Sequence, residues 1–220
     1  MKIYLFGSCR VWDLFKNKTV TILNNNYRTL MHDISQYVQE MKIYNKVIDI
    51  PENLLQFMYY SSYKNKICDN MSETIKNQKK YINEADIIVV EISTLKYIIK
   101  DGIYLDIQQA SKTDNKIMSY DKEEFISKFN EFIEMLPHKK ILFVGHIYLP
   151  HMTIDKLKVR EKLNEYINFC SSKYTNVFFF NPSIIVEKYG WNNMMIDTTH
   201  YSKNGRSIVE TEIIDFMKKM

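Results

Sequence analysis

The chain has 220 residues, of which 45% are apolar, 25% charged and 14% aromatic, and its formal net charge is +4. These proportions are ordinary for a globular protein and exclude a mainly disordered chain. Only four of the 30 basic residues are arginines, the type that makes bidentate contacts to phosphates and guanines, so we expect no nucleic-acid partner. We expect one domain over residues 1–220, either as the whole protein or as one part of a longer one.

The cysteines and the apolar runs indicate the compartment. Cys9, Cys68 and Cys170 are odd in number and lack the spacing of a zinc site, so we expect neither a disulfide framework nor a metal. The apolar run at the start of the chain is too short for a signal peptide. No apolar run approaches the length of about 18 residues that a membrane span needs. We therefore expect a reducing, cytoplasmic setting and no membrane partner, and the oligomeric state stays open.

The first half of the chain alternates short apolar runs with helical patterns. Its strongest strand pattern has apolar residues in succession and not in alternation, which is typical of a strand in the middle of a parallel sheet. The predicted strands are residues 3–6, 20–23 and 86–92, and the predicted helices are residues 33–43, 51–64 and 71–83.

The second half continues this alternation after an irregular stretch at 101–120, which fits a small hairpin or a lid. Strand runs alternating with helical runs predict an α/β three-layer sandwich, a mainly parallel central sheet with helices on both faces. In such sheets the functional residues lie at the carboxyl ends of the strands. The remaining predicted helices are 121–136, 154–172 and 203–218, and the remaining strands are 140–145 and 177–180.

The first strand is followed by Gly7-Ser8-Cys9, which places a nucleophile on a glycine turn that opens a helix. The amino end of a helix lowers a thiol pKa and offers N–H groups to an oxyanion. Cys9 is favoured over Ser8 because a thiolate is intrinsically the stronger nucleophile. The alternative is a pair of small residues that merely pack at a strand end.

The second motif is Asp197-x-x-His200, in a late loop before the final helix. A catalytic histidine needs an acceptor on its other ring nitrogen, so that the correct tautomer faces the nucleophile. An aspartate three residues earlier can supply that acceptor. The alternative is a helix-capping aspartate followed by a surface histidine.

Together, the two motifs resemble the SGNH (GDSL-type) hydrolase superfamily, which has Gly-Asp-Ser after its first strand and Asp-x-x-His before its last helix. Phe6-Gly7-Ser8-Cys9 falls on the first block, with Cys9 where the family has its nucleophilic serine, and segment 197–205 resembles the last block. The Gly-Ser-Cys start is also similar to the GSCFA family and to capsular-polysaccharide acetyltransferases of this fold. The resemblance implies an SGNH-like, flavodoxin-like sandwich.

The resemblance further implies an acetyltransferase that moves an acetyl group from acetyl-CoA to a sugar amine or hydroxyl, on a nucleotide sugar or a polysaccharide. Cys9 or Ser8 would act with His200 and Asp197. Acetyl-CoA follows from the resemblance alone, because the chain has no glycine-rich phosphate loop. Two alternatives remain: an esterase or deacetylase that uses the same residues on acetylated carbohydrate, and an inactive carbohydrate-binding module.

The family's oxyanion glycine and its Gly-x-Asn block are not evident, because the strand ends in Glu91-Ile92-Ser93-Thr94. Ser93 or Thr94 could donate to an oxyanion, or the backbone N–H groups of the Gly7–Arg10 turn could serve alone. Glu91 is costly to bury unless it is paired or functional, so it either pairs with a lysine or a helix amino end, or contacts substrate.

Four further side chains are candidates for binding substrate. Arg10 could bind a carboxylate or phosphate, His32 lies near one face of the helix that Asp33 is expected to cap, and His146 follows a strong strand. The alternatives are a simple capped helix start for the His32 segment, a hydrogen-bonded core histidine for His146, and loop packing instead of sugar stacking for Trp191.

Overall fold

A computed structural model describes residues 1–15, 20–27, 30–57, 71–107, 114–149 and 152–220. The strands in these ranges are β1 (Lys2–Phe6), β2 (Thr21–Ile22), β3 (Ile87–Val90), β4 (Lys96–Lys100), β5 (Ile103–Leu105), β6 (Met118–Ser119), β7 (Lys140–Val144) and β8 (Val177–Phe180). The α-helices are α1 (Cys9–Leu14), α2 (Ile34–Tyr44), α3 (Met71–Glu84), α4 (Lys122–Glu134), α5 (Ile154–Ser171), α6 (Pro182–Tyr189), α7 (Trp191–Met194) and α8 (Lys203–Lys219).

Five parallel strands form the central sheet in the order β2-β1-β3-β7-β8. In the middle of the sheet, Phe6 lies opposite Val90, and Val90 lies opposite Phe143. All four residues of β3 are buried, as its unbroken apolar run predicts. Because the strands run the same way, their carboxyl ends share one edge of the sheet, called here the carboxyl edge.

Successive residues of each central strand point to opposite faces of the sheet, and each face is covered by helices. Tyr4 and Phe6 pack in one apolar cluster with α2, α3, α4 and α5. Ile3 and Leu5 pack in a second cluster with α1, α6, α7 and α8. The predicted three-layer sandwich is therefore confirmed. Of the helices in the described ranges, none combines the length and the apolar character that crossing a bilayer requires.

The irregular stretch at 101–120 contributes to a small antiparallel sheet of order β5-β4-β6. Asp101 and Gly102, both at positive φ, form the two-residue turn between β4 and β5, so the predicted hairpin is present. It packs on α2 through side-chain amides: Gln36 donates to the Leu105 carbonyl at 3.0 Å and Gln39 to the Tyr104 carbonyl at 2.9 Å.

Several elements differ from the sequence prediction, among them the strand β4 and the short helix α7, which were not predicted. The α-helix expected at 51–64 is a 3₁₀ segment, Glu52–Phe57, in its described part, and the rest of that range lies outside the described residues. The helix α6 was not predicted, although it has clear start signals: Asn181 accepts the Ser183 N–H at 3.0 Å, and Pro182 occupies the first turn.

Gly205 lets the last helix approach the preceding loop closely. A Cβ atom at this position would lie 2.0 Å from the Met194 carbonyl oxygen, a backbone atom that cannot simply rotate away. That carbonyl also accepts the Ser202 N–H at 2.9 Å. The close approach therefore fixes how the segment between Met194 and Ser202 meets α8.

We predict that Gly205→Ala lowers the free energy of unfolding by about 1–3 kcal/mol, because overpacking against backbone outweighs the usual helix preference for alanine. Urea unfolding measures the change. Ser207→Ala, at an exposed position of the same helix, is the control and should stay within about 0.5 kcal/mol of the parent protein. Equal or higher stability of Gly205→Ala would refute this packing.

Candidate active site

The first motif forms the turn from β1 into α1 at the carboxyl edge. Gly7 has φ +156°, and a Cβ atom there would lie 2.5 Å from Val11 Cγ1, so only glycine fits. Ser8 is the N-cap of α1, and its hydroxyl accepts the Arg10 N–H at 3.3 Å. Cys9 is the first residue of the helix and is half-buried. The predicted glycine turn therefore opens a helix, and the thiol lies at its amino end.

Glu91 lies directly after β3 and is fully buried. Its carboxylate accepts from both the N–H and the hydroxyl of Ser8 and forms an ion pair with the Arg10 guanidinium. Burying a carboxylate costs several kcal/mol unless such partners are present. Of the two roles considered for Glu91, the structure shows pairing, with an arginine and the helix amino end and not with a lysine.

The Arg10 guanidinium extends this network to the next strand. Its Nη1 lies 2.8 Å from Nδ1 of His146, the second residue after β7. Asn164 holds the backbone of His146, with its amide accepting from the N–H at 2.8 Å and donating to the carbonyl at 2.7 Å. Burial, and then the charge of Arg10, lower the pKa of His146 well below its usual value. A neutral ring can accept a hydrogen bond from the Arg10 guanidinium, so His146 is a hydrogen-bonded core histidine.

The second motif forms a loop of residues 197–200, called here the dyad loop. Asp197 Oδ2 lies 2.8 Å from His200 Nδ1, and Oδ1 accepts the backbone N–H of Thr199 at 2.6 Å and of His200 at 2.8 Å. The hydrogen bonds from His200, first its side chain and then its backbone, lower the pKa of Asp197 to about 2. With Nδ1 donating to the carboxylate, Nε2 is the ring atom that can accept a proton.

The dyad loop is not the helix cap considered as an alternative. The N-cap of α8 is Ser202, whose hydroxyl accepts the Gly205 N–H at 2.9 Å. The side chains of His200 and Asp197 are 51% and 53% exposed. The pair therefore combines a fixed tautomer with access from solvent.

A second histidine, His32, lies near the carboxyl end of β3. His32 Nδ1 lies 2.8 Å from Ser93 Oγ, and the Ser93 N–H donates to the His32 carbonyl at 2.8 Å. Both side chains are half-buried, and burial lowers the pKa of His32. Asp33 caps α2 in a reciprocal capping box with Gln36, as the sequence predicts, which leaves His32 itself to contact Ser93.

Tyr201 connects the two motifs. It follows His200 directly, is 4% exposed, and packs in the same apolar cluster as Val11 and Trp12 of α1. Arg10 and Glu91 both act electrostatically on its hydroxyl, whose pKa burial raises. The end of the dyad loop is thus buried in the apolar cluster that also contains α1, the helix that Cys9 opens.

The remaining candidates lie elsewhere or have other partners. Trp191 is half-buried and packs against the apolar cluster of α1 and α8, which agrees with the loop-packing alternative. Cys170 is buried in α5, and Cys68 lies outside the described residues. Three residues of this region were not predicted: Asn164, Tyr201 and Arg160, an α5 residue that donates hydrogen bonds to the dyad loop. Each is recognised only by contacts with distant parts of the chain.

Comparison with solved structures identifies the fold. Over its whole length the chain is similar to a member of the lipolytic G-D-S-L family from Veillonella parvula, with a TM-score of 0.55, 9% identity and 100% coverage of both chains. Its fold is therefore the SGNH-like fold that the two motifs imply. No curated protein sequence matches.

Two other solved structures match with lower scores. An acetylxylan esterase from Geobacillus stearothermophilus has a TM-score of 0.47 and 12% identity, with 97% of this chain and 92% of that one covered. The salicylyl-acyltransferase SsfX3 from a tetracycline biosynthetic pathway has a TM-score of 0.46 and 12% identity, with 99% and 54% covered.

A family model identifies the chain more closely. Residues 1–131 match the TviD N-terminal domain. This range includes the Cys9 turn, Glu91 and the contact between His32 and Ser93, and it covers more than half of the 220 residues. The chain belongs to the TviD N-terminal domain family.

Proposed function

We propose that this protein is an acyltransferase that moves an acetyl group from acetyl-CoA to a hydroxyl or amine of a sugar, on a nucleotide sugar or a polysaccharide. The observation that carries the proposal is the Asp197–His200 pair, on a loop whose next residue, Tyr201, packs in the same apolar cluster as the helix that Cys9 opens. A nucleophile, a base and an acceptor that orients the base are the groups that acyl transfer needs.

In the proposed first step, Nε2 of His200 accepts the Cys9 thiol proton and the thiolate attacks the acetyl carbonyl carbon. The tetrahedral intermediate collapses to an acetyl-Cys9 thioester, and the CoA thiolate leaves with the proton from His200. In the second step His200 accepts a proton from the sugar hydroxyl or amine, whose oxygen or nitrogen attacks the thioester. The acetyl group then bonds to the sugar, and the Cys9 thiol regains the proton.

Cys9 is the proposed nucleophile because Ser8 has a structural role. The Ser8 hydroxyl is buried, donates to Glu91 and accepts the Arg10 N–H. Using that oxygen as a nucleophile would break the helix cap and remove one of the hydrogen-bond donors to the buried Glu91 carboxylate. The Cys9 side chain is half-buried and adjacent.

The proposed oxyanion site combines the Cys9 N–H with the Ser93 hydroxyl. Ser93 lies two residues beyond Glu91, in the segment that follows the neighbouring strand β3. A neutral His32 that donates from Nδ1 to Ser93 Oγ leaves the serine proton in only a long hydrogen bond of 3.4 Å to the His32 carbonyl, so it can turn to donate to an oxyanion. The lowered pKa of His32 supports the neutral ring. Donors fixed before the reaction stabilise the developing charge most effectively.

Hydrolysis is the second candidate, with water in place of the sugar acceptor. The half-exposed dyad supports it, because water reaches His200 directly, and the Veillonella relative carries a lipolytic name. An inactive carbohydrate-binding module is the third candidate, and it predicts sugar binding that is unchanged by His200→Ala.

Calorimetric titration of the protein with acetyl-CoA, and then with free CoA, tests the proposal. We expect micromolar binding of both and acetyl transfer to members of a panel of amino sugars and sugar hydroxyls. Absence of CoA binding together with acetate release from acetylated sugars would overturn transfer in favour of hydrolysis. Sugar binding with neither reaction would identify the module.

We predict that His200→Ala lowers the acyl-transfer rate by about 10³- to 10⁴-fold, since the triad acts as a unit. Thermal stability should stay unchanged because the side chain is 51% exposed. The matched control is His138→Ala, an exposed histidine just before β7 and at the opposite edge of the sheet. Near-parental turnover of His200→Ala would remove this mechanism.

We predict different results for the two neighbouring nucleophile candidates. Cys9→Ala should abolish turnover without loss of stability, and Cys9→Ser should keep part of it. Ser8→Ala should keep the thiol chemistry but lower the unfolding temperature, because it removes the α1 cap and a donor to Glu91. Activity and thermal unfolding of the three variants distinguish these roles; a fully active Cys9→Ala with an inactive but stable Ser8→Ala would move the nucleophile by one residue.

A further inference from the structure

Arg160 of α5 contacts the dyad loop from outside it. Its guanidinium Nη1 donates to the Thr198 carbonyl at 2.5 Å, and Nη2 donates to the Thr199 hydroxyl at 3.3 Å. Thr198 and Thr199 are the two residues between Asp197 and His200. One side chain therefore bonds the whole segment that separates the two members of the pair.

The same guanidinium also donates a hydrogen bond to the loop that follows β7. Nη1 donates to the carbonyl of Ile147 at 3.0 Å, and Ile147 follows His146 at the end of β7. The Met152 sulfur lies 3.5 Å from the same nitrogen. Arg160 thus connects the dyad loop to the carboxyl edge, next to the residue that contacts Arg10.

The dyad loop has internal hydrogen bonds of a different kind. Asp197 binds the N–H groups of Thr199 and His200, and the Ile196 N–H donates to the His200 carbonyl at 2.9 Å. These contacts fix the shape of the loop and the ring tautomer. They do not fix the distance of the loop from the Cys9 turn, which depends on contacts with other elements such as Arg160.

The chemistry of these contacts requires an arginine. Within the described residues Arg160 forms no ion pair with a carboxylate, and its donors point to two carbonyls and a hydroxyl. A planar guanidinium can reach several acceptors at once in fixed directions, whereas a lysine ammonium concentrates its charge at one point. A half-buried cation whose hydrogen bonds go to neutral acceptors is costly to keep, and the negative charge of Asp197 offsets part of that cost. Both effects argue for a role of Arg160 in holding this loop.

We propose that Arg160 is a positioning residue, which holds the dyad loop against the sheet so that His200 reaches Cys9. This inference rests on the proposed function. The predicted consequence is selective: without Arg160 the Asp197–His200 pair still forms, but its placement relative to the thiol is lost. A misplacement of about 1 Å can cost roughly 100-fold in rate.

The experiment compares Arg160→Gln and Arg160→Lys with Lys158→Gln. Lys158 is exposed on the same helix, so its substitution removes the same charge without touching the dyad loop. We expect Arg160→Gln to lower kcat by about 10- to 100-fold with KM for acetyl-CoA within about twofold. Arg160→Lys should restore only a small part of the rate, and Lys158→Gln should match the parent protein.

A double substitution separates positioning from general loss of structure. If Arg160 acts through His200, adding Arg160→Gln to His200→Ala should not lower the residual rate further. An equal drop in both backgrounds would overturn the proposal, as would a parental kcat for Arg160→Gln. Millimolar guanidinium should partly rescue Arg160→Ala at unchanged protein stability.

Amide hydrogen exchange provides a readout independent of turnover. Arg160→Gln should increase exchange at Thr199 and His200, while the β3 and β7 amides stay protected. If the parent protein neither transfers acetyl nor releases acetate, the proposed function fails, and this exchange measurement still tests the contact. Unchanged exchange in the dyad loop would overturn the role of Arg160 in either case.

Discussion

The buried ion pair between Glu91 and Arg10 is the interaction on which the rest of the site depends. Each charge is almost completely removed from water, so each requires the other, and loss of one partner leaves an uncompensated charge in the core. The pair also joins three strands: Glu91 ends β3 and binds the Ser8 turn after β1, and Arg10 contacts His146 after β7. The carboxyl ends of three adjacent strands are thus tied together beside Cys9.

This network accounts for two departures from the SGNH sequence pattern that the motifs resemble. The Ser8 hydroxyl and Glu91 occupy positions where the superfamily has other residues, and here they bind each other. The buried groups hold the turn, and His200 and Asp197 stay half-exposed, as the proposed proton transfer requires. Gly7 permits the close approach of the turn to Glu91, and Gly205 permits that of α8 to the segment before the dyad loop.

Much of the fold follows from local patterns, and the gaps have physical causes. The unbroken apolar runs of β3 and β7 predicted central strands, and Asp33 predicted the α2 cap. Helix α6 was missed although Asn181 and Pro182 mark its start. The partners of Glu91 and His146 could not be assigned, because Arg10 lies 136 residues from His146 and no local pattern records such a contact. Arg160 is likewise identified only by the contacts of its guanidinium.

In the proposed mechanism Cys9 carries the acetyl group after activation by His200. The most direct measurement mixes the protein with acetyl-CoA without an acceptor, stops the reaction in acid, and locates any acetyl group by mass spectrometry of peptides. We predict a thioester on the peptide that contains Cys9, absent in Cys9→Ala and formed far more slowly in His200→Ala. An acetyl group on Ser8, or release of CoA with no acetylated protein at any time, would contradict the mechanism.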